Sequence, residues 1–389
     1  MFVTSQNRKP EIKKRAISLD LARGTILLLI VLAHAPLYLY NAEPGLMQRV
    51  ASTNFFDEIV NLFGIFFIDH RARAMFALLL GYGLVLLFNS QRSKGKSKKD
   101  AAKLIRRRSW YLILFGFILA VIVGGQDILM AYGFAGLIVS TLLSRNLKVI
   151  VQSLIIITLI YCLVTPILWG FGMLEFKSYG FPLDLSATDT YLNRTLSLLA
   201  TFPIIPIIIH LMIPILPSVL IGMWLAKKQL LTKPELHLRS LKLISVIGLT
   251  ISILGALPLS LIGSVWHPSF FVSGLIFGLH ILTGIAGGLA YAAIFGLIGA
   301  KLKEPGPISN SLKALGKRSL TFYIWNEAML VLFLSPVALD LAGTVNNGIA
   351  ALIAVGIWMF SILMATLLEK NNMNGPLEIV MRRMMYKNA

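Results

Sequence analysis

Apolar residues run through the chain in long stretches separated by short polar ones: 19–40, 71–89, 109–124, 127–144, 147–170, 196–226, 241–264, 270–300, 318–335 and 348–368. About 20 apolar residues is the length at which an α-helix crosses the hydrocarbon layer of a bilayer. The pattern therefore predicts an all-α, polytopic transmembrane helical bundle of about ten spans. No polar segment is long enough to fold separately, so residues 1–389 read as a single integral membrane domain, with 1–18 and 369–389 as cytoplasmic tails. Residues 55–69, FFDEIVNLFGIFFID, fit the count poorly. Their apolar core is short, and a full span there would invert every later loop. They are predicted to form a re-entrant or interfacial helix on the outer side, leading into the corner Asp69-His70-Arg71-Ala72-Arg73. The alternative is a span paired with a further break in 196–226, where Pro203, Pro206, Pro214 and Pro217 can divide one helix into two.

Composition supports the membrane reading. The chain is 57% hydrophobic and 14% charged, with a mean hydropathy of +0.78, whereas soluble domains carry about a quarter charged residues. The net charge of +19 would suggest nucleic acid if it were spread evenly, and it is not. Of the 36 Lys and Arg, 30 fall in the two tails and alternate loops. Arg49, Lys177 and Arg194 lie on the opposite side, and Arg23, Arg71 and Arg73 at or within spans. That asymmetry follows the positive-inside rule and excludes nucleic-acid binding as its cause. It predicts a multi-pass protein of a bacterial-type plasma membrane with both termini cytoplasmic. Lys13, Lys14, Arg15 and the later Ala33-His34-Ala35 imitate a signal peptide. Pro36 after that site, and apolar sequence continuing to Tyr40, favour a retained span. The lone Cys162 can form no intrachain disulfide and reads as a buried structural thiol. Gly274 with Gly278, and Gly284 with Gly288, have helix-packing spacing. No metal-spaced Cys/His cluster is present, so no metal is predicted.

Ionisable residues inside apolar runs carry what chemistry the sequence offers. Arg23 and His34 are eleven residues apart, three helical turns plus 20°, so they share one face of the first helix about 16 Å apart along its axis. Asp20 precedes Arg23 by three positions and can pair with it. The bland reading of Arg23 is membrane anchoring and positive-inside signalling, and that of His34 a satisfied interior histidine. Histidine is nonetheless the side chain best suited to exchange a proton near neutral pH. Asp69, His70, Arg71 and Arg73 are either a solvated membrane-edge turn or an anion site or charge network. Glu327, within TFYIWNEAMLVLF and near Tyr323 and Asn326, needs a partner or a proton. A structural ion pair, for instance to an Arg of another helix, and a role in a site are both open. His210 and His280 read as hydrogen-bonded interior residues.

The stretch LDLARGTILLLIVLAHA, with Leu19, Asp20, Arg23, Gly24 and His34, resembles the opening helix of the transmembrane acyltransferase superfamily and has the Arg-to-His spacing of its acyltransferase-3 group. RAMFALLLGYG (73–83), SLTFYIWNEAML (319–330) and the ending NGPLEIVMRRMMY (374–386) resemble the YeiB family, domain of unknown function 418. The chain reads Arg71-Ala72-Arg73 where the acyltransferase-3 group has Arg-x-x-Arg. The resemblance implies transfer of an acyl group, acetyl foremost, from cytoplasmic acyl-CoA or acetyl-CoA to a hydroxyl or amine of an acceptor (sugar, lipid or peptide) at or across the membrane. His34 would then be the general base or a transient acyl carrier. Arg23 would hold the helix entrance open to the donor's anionic groups or bind them, with Arg106 to Arg108, Lys313, Lys317 and Arg318 attracting its phosphates. Asp20, Asp69, His70, Arg71, Arg73 and Glu327 are the candidate substrate-binding residues. Expected partners are membrane lipid and the acyl-CoA, with a homo-oligomer also compatible. The competing class is a multi-span transporter or flippase of a lipid-linked or small-molecule substrate, for which Pro-broken helices and intramembrane charge are equally expected.

Overall fold

A computed structural model of the chain describes residues 16–40, 42–182, 185–202, 204–302 and 304–386. Pro203 and Lys13, Lys14 and Arg15, which entered the span and signal-peptide expectations, lie outside the described residues, as does nearly all of the 1–18 tail. Among the described residues the structure is all-helical, with isolated β-bridges and no strand. The helices are α1 (Ile17–His34), α2 (Phe55–Phe63), α3 (Arg71–Ser93), α4 (Lys98–Phe117), α5 (Leu129–Val139), α6 (Leu147–Phe176), α7 (Tyr191–Thr201), α8 (Ile205–Met212), α9 (Ile215–Lys227), α10 (Leu238–Ser260), α11 (Phe270–Lys301), α12 (Pro307–Lys317), α13 (Ser319–Leu334), α14 (Asn347–Lys370) and α15 (Pro376–Tyr386).

By length and composition six helices can cross a membrane, or seven if the bent pair α7 and α8 forms one span. The expected ten is not reached by that measure, for identifiable reasons. The stretches 127–144, 196–226 and 318–335 yield α5 (11 residues), α9 (13 residues) and α13 (16 residues), each shorter than a bilayer needs. Stretch 196–226 is three helices, with a 66° bend between α7 and α8. It breaks again at Ile213 and Pro214, where the missing proline N–H ends the ladder. Two expected loops are largely helical. Residues 91–108 hold the end of α3 and the first half of α4, and 301–318 contains α12. Residues 55–69 form α2 and a π-helical turn at 64–68, with Phe55, Phe56, Ile59, Leu62 and Phe63 exposed. By length and composition Phe55–Ser93 counts as one candidate span, so 55–69 runs into α3 rather than standing apart from it.

The core is centred on α3, which packs against both α9 and α1, through Ile26, Leu27, Met75, Leu78, Tyr82, Val219 and Met223. Lipid tails are as apolar as these side chains, so close packing, rather than removal from water, must favour such contacts. Gly81 and Gly222 make it possible. A Cβ on Gly81 would stand 2.0 Å from the Val219 carbonyl oxygen, and one on Gly222 1.9 Å from that of Leu78. The glycine pairs of α11 are used in the same way, Gly274 and Gly278 against α6, Gly284 and Gly288 against His70 and α3. Helix α6 is peripheral, exposing Ile155, Ile156, Leu159, Ile160 and Leu163. It also carries Cys162, which is exposed rather than buried as expected, because it lies on that outward face.

Gly222→Leu should therefore lower stability by about 1–3 kcal/mol or more. Gly172→Leu on α6, where a Cβ meets nothing within 4 Å, should change it little. Thermal unfolding of both variants in the same detergent checks this, and equal losses would remove the close-packing account of α3 and α9.

Candidate functional site

Helix α1 ends at His34, followed by a 3-10 turn over Ala35–Tyr38 that contains Pro36. That end places the His34 ring against α13, where Nδ1 lies 2.7 Å from Oε1 of Glu327. The two residues come from opposite ends of the chain. The Glu327 side chain is fully buried, and that of His34 is 15% exposed. Oε2 of Glu327 is buried with no partner. Glu327 is thus paired with a histidine, not with the arginine considered from the sequence.

The surroundings hold this pair in place through the loop between α4 and α5. The Gln126 N–H donates to the Tyr38 hydroxyl (3.0 Å). The Tyr323 hydroxyl donates to the Gln126 carbonyl (3.2 Å) and accepts from the Ile128 N–H (3.3 Å). Asp127 caps α5 by accepting from the N–H groups of Leu129 and Met130 (2.8 and 2.9 Å). Gly125 passes beside Glu327, leaving only 3.5 Å between its ideal Cβ and that of the glutamate. With Nδ1–H donated to a carboxylate, Nε2 is the nitrogen left to accept a proton or act as a nucleophile. A buried carboxylate that fixes the tautomer and orientation of a partly exposed imidazole is the arrangement proton-transfer chemistry requires.

A cavity of about 390 Å³ lies along the same helices toward the basic loops. Arg23, Arg108, Lys317 and Arg382 line it, with Glu378 the one acid. Glu378 is already engaged at the start of α13, accepting from the Leu320 and Thr321 N–H groups (2.8 and 3.2 Å) and from the Thr321 hydroxyl (2.5 Å). Lys317 binds Glu369. Arg23 lies 3.8 Å from Asp20, whose side chain is buried. Arg108 and Arg382 join no ion pair among the described residues. The lining also includes Tyr132 and Tyr323, both stacked on Phe76. Glu327 is one helical turn beyond Tyr323, about 6 Å along the axis. The cavity is a cationic recess suited to phosphate or carboxylate groups.

Asp69, His70, Arg71 and Arg73 form a separate cluster. Its first three members are buried, not in the solvated turn considered from the sequence, with Asp69 5%, His70 8% and Arg71 0% exposed, while Arg73 is half-buried. Nη2 of Arg49 donates to both Asp69 carboxylate oxygens (2.9 and 3.0 Å). Arg71 donates to the Ser252 hydroxyl (2.8 Å) and carbonyl (2.7 Å), the Asp69 carbonyl (2.8 Å) and Nε2 of His280 (3.1 Å). His280 is thereby a hydrogen-bonded interior residue, and so is His210, whose Nε2 lies 2.9 Å from the Ala131 carbonyl oxygen. Of the candidates, the structure unites His34 with Glu327 and puts Arg23, beside Asp20, at the basic cavity. Sequence reasoning missed Arg49, Tyr38, Asp127 and Arg382. Arg49 had a signal, as a basic residue on the side that charge asymmetry leaves nearly empty.

Helices of this length and apolarity fit a multi-pass membrane protein, one with a buried His–Glu pair at the end of its first helix. Residues 225–388 match the family model described as "Protein of unknown function (DUF418)". Over those residues, somewhat less than half of the chain, it is similar to that family. No curated protein matches the chain. The closing segment of the matched region has a visible task here, since Glu378 of Gly375-Pro376-Leu377-Glu378 caps α13 and Arg382 lines the cavity.

The His34–Glu327 bond predicts energetic coupling. A double-mutant cycle with His34→Ala and Glu327→Ala, read from unfolding midpoints, should give about 0.5–3 kcal/mol of interaction energy. Additive losses would mean that the two side chains do not support each other.

Proposed function

We propose that this chain is a membrane acyltransferase that moves an acyl group, acetyl foremost, from cytoplasmic acyl-CoA to a hydroxyl or amine at or across the membrane. The observation that carries the reading is the His34–Glu327 pair one helical turn beyond a cationic cavity. Arg23, Arg108 and Arg382 would bind the donor's phosphates through charge-assisted hydrogen bonds. Nε2 of His34 would take the proton of the acceptor as that group attacks the thioester carbonyl, and would return it to the departing thiolate. Glu327 would hold the ring and offset the imidazolium charge formed on the way. The topology that goes with this reading has ten crossings, some made by the short helices α5, α9 and α13. Both termini and the basic loops then lie in the cytoplasm of a bacterial-type plasma membrane, following the positive-inside bias.

A carrier is the second reading, favoured by the helix broken at Ile213 and Pro214, since transporters form midplane sites at such breaks.

Two measurements separate the readings. CoA or acetyl-CoA should raise the melting temperature of the purified protein, and Arg108→Ala with Arg382→Ala should weaken that effect. A carrier of another substrate should ignore CoA. His34→Ala should lower CoA thiol release in the presence of acceptor by about 10²- to 10⁴-fold while leaving the fold intact. Undiminished release would remove His34 from the chemistry.

A further inference from the structure

The buried cluster around Asp69 is out of electrostatic balance. Three guanidinium groups, those of Arg49, Arg71 and Arg73, gather near one carboxylate, Asp69, and Arg49 engages both of its oxygens. Arg71 is satisfied by neutral partners, which meet its hydrogen bonds and leave its charge uncompensated. Arg73 belongs to no ion pair among the described residues. Its Nη1 is buried without a hydrogen-bond partner. Tyr132 and Tyr323 are its other electrostatic neighbours, and both are neutral phenols in their ordinary state. Arg71 is fully buried and Arg73 half-buried; uncompensated charge of this kind is expensive in an apolar interior, and proteins meet it with a counter-charge.

The structure has a place for one. His70 is 8% exposed and sits at φ +63°, left-handed, between the π-helical turn and α3. That backbone turns its ring toward α11, edge-on to His280 and Phe277. Both ring nitrogens are buried without partners. A neutral imidazole has one N–H donor, and no acceptor meets it among the described residues. His70 and Arg73 line a gap of about 10 Å³ together with Ile213, Pro214, Ser218 and Ile281. That volume is about what one water-sized occupant needs. The far wall is the first turn of α9, a 13-residue helix whose positive dipole end begins at the Pro214 break.

The Arg73 Nη1, the one N–H of His70 and a helix N-terminus thus line room for a single small body, in a cluster where three guanidinium groups share one carboxylate. We infer that this gap is a binding site for a monatomic anion of the halide class, held by Arg73, His70 and the start of α9. Water would satisfy the hydrogen bonds but not the charge. A phosphate or sulfate is too large for the gap. The site is separate from the His34–Glu327 pair and does not depend on the acyltransferase reading. The bound ion couples three segments far apart in sequence, the turn before α3, α9 and α11.

The test uses the full chain in detergent, exchanged between chloride and gluconate at constant ionic strength. Chloride and bromide should raise the melting temperature along a saturating curve that gluconate does not reproduce. Equilibrium dialysis with radioactive chloride should find one ion per chain. Arg73→Gln, which keeps donors but removes the charge, should reduce bound chloride at least about tenfold. His70→Phe, which keeps the ring's shape without its nitrogens, should weaken binding independently. The inference is overturned if the wild-type protein melts alike in chloride and gluconate, or if dialysis finds no stoichiometric ion. It is equally overturned if chloride binding survives in a folded Arg73→Gln or His70→Phe protein. Should either variant fail to fold, the wild-type exchange and dialysis decide the matter alone.

Discussion

An ionised group buried among apolar helices must find a partner within the protein, and the organisation of this molecule follows from that constraint. Glu327 is fully buried in the middle of α13, so a hydrogen-bonding group from another helix has to reach it. His34 does so from the last turn of α1, which fixes α1 and α13 against each other at that depth. The α4–α5 loop then closes around the pair, because Tyr38 and Tyr323 each need a partner for a buried hydroxyl and find it in the loop backbone. A polar centre in an apolar bundle is in this way self-organising, since each unsatisfied group requires the next.

The basic end depends on close approach more than on charge. Gly24 on α1 and Gly316 on α12 lie face to face. A Cβ on Gly24 would sit 2.2 Å from the Leu312 carbonyl oxygen, and one on Gly316 1.8 Å from that of Asp20. Docking of α12 here sets Lys317 and the start of α13 at the rim of the cavity, where Arg23 of α1 already lies. Both halves of the chain therefore build each part of the site. The segment matching the DUF418 family supplies Glu327, Lys317, Glu378 and Arg382. The segment before it supplies His34, Arg23, Arg108 and the loop at Asp127. Neither half holds a complete proton-transfer pair or a complete cavity.

How far this was legible from the sequence depends on whether the signal was local. Long apolar runs gave α1, α3, α6, α10, α11 and α14, because length and hydropathy are properties of one segment. The first half of α4 was hidden by its lysines and arginines, and α12 by its short, largely polar sequence, so both read as loop although they are helical. Proline marked the breaks around α8 without showing that the pieces would be too short to cross alone. In the site, His34 emerged from helical arithmetic and Glu327 from being a carboxylate in an apolar run. Their pairing did not, since a contact across 293 residues leaves no trace in spacing. The charge asymmetry was more informative than it first looked. Of the six basic residues it fails to explain, Arg23, Arg49, Arg71 and Arg73 all line a cavity or join a buried cluster.

The Arg71-Ala72-Arg73 spacing explains why these two neighbours differ so much. Positions two apart on an α-helix are turned 200° from each other, whereas positions three apart lie within 60° of one face. Arg71 consequently meets α10 and α11, where Ser252 and His280 meet its hydrogen bonds. Arg73 is carried round toward Tyr132, Tyr323 and the start of α9, where Nη1 has no acceptor. An Arg-x-x-Arg arrangement would aim both guanidinium groups at one target. The chain instead commits one arginine to holding helices together and leaves the other facing a gap. Roles inferred for a same-face arginine pair therefore cannot be assigned to these two as a unit, and each has to be argued from its own neighbours.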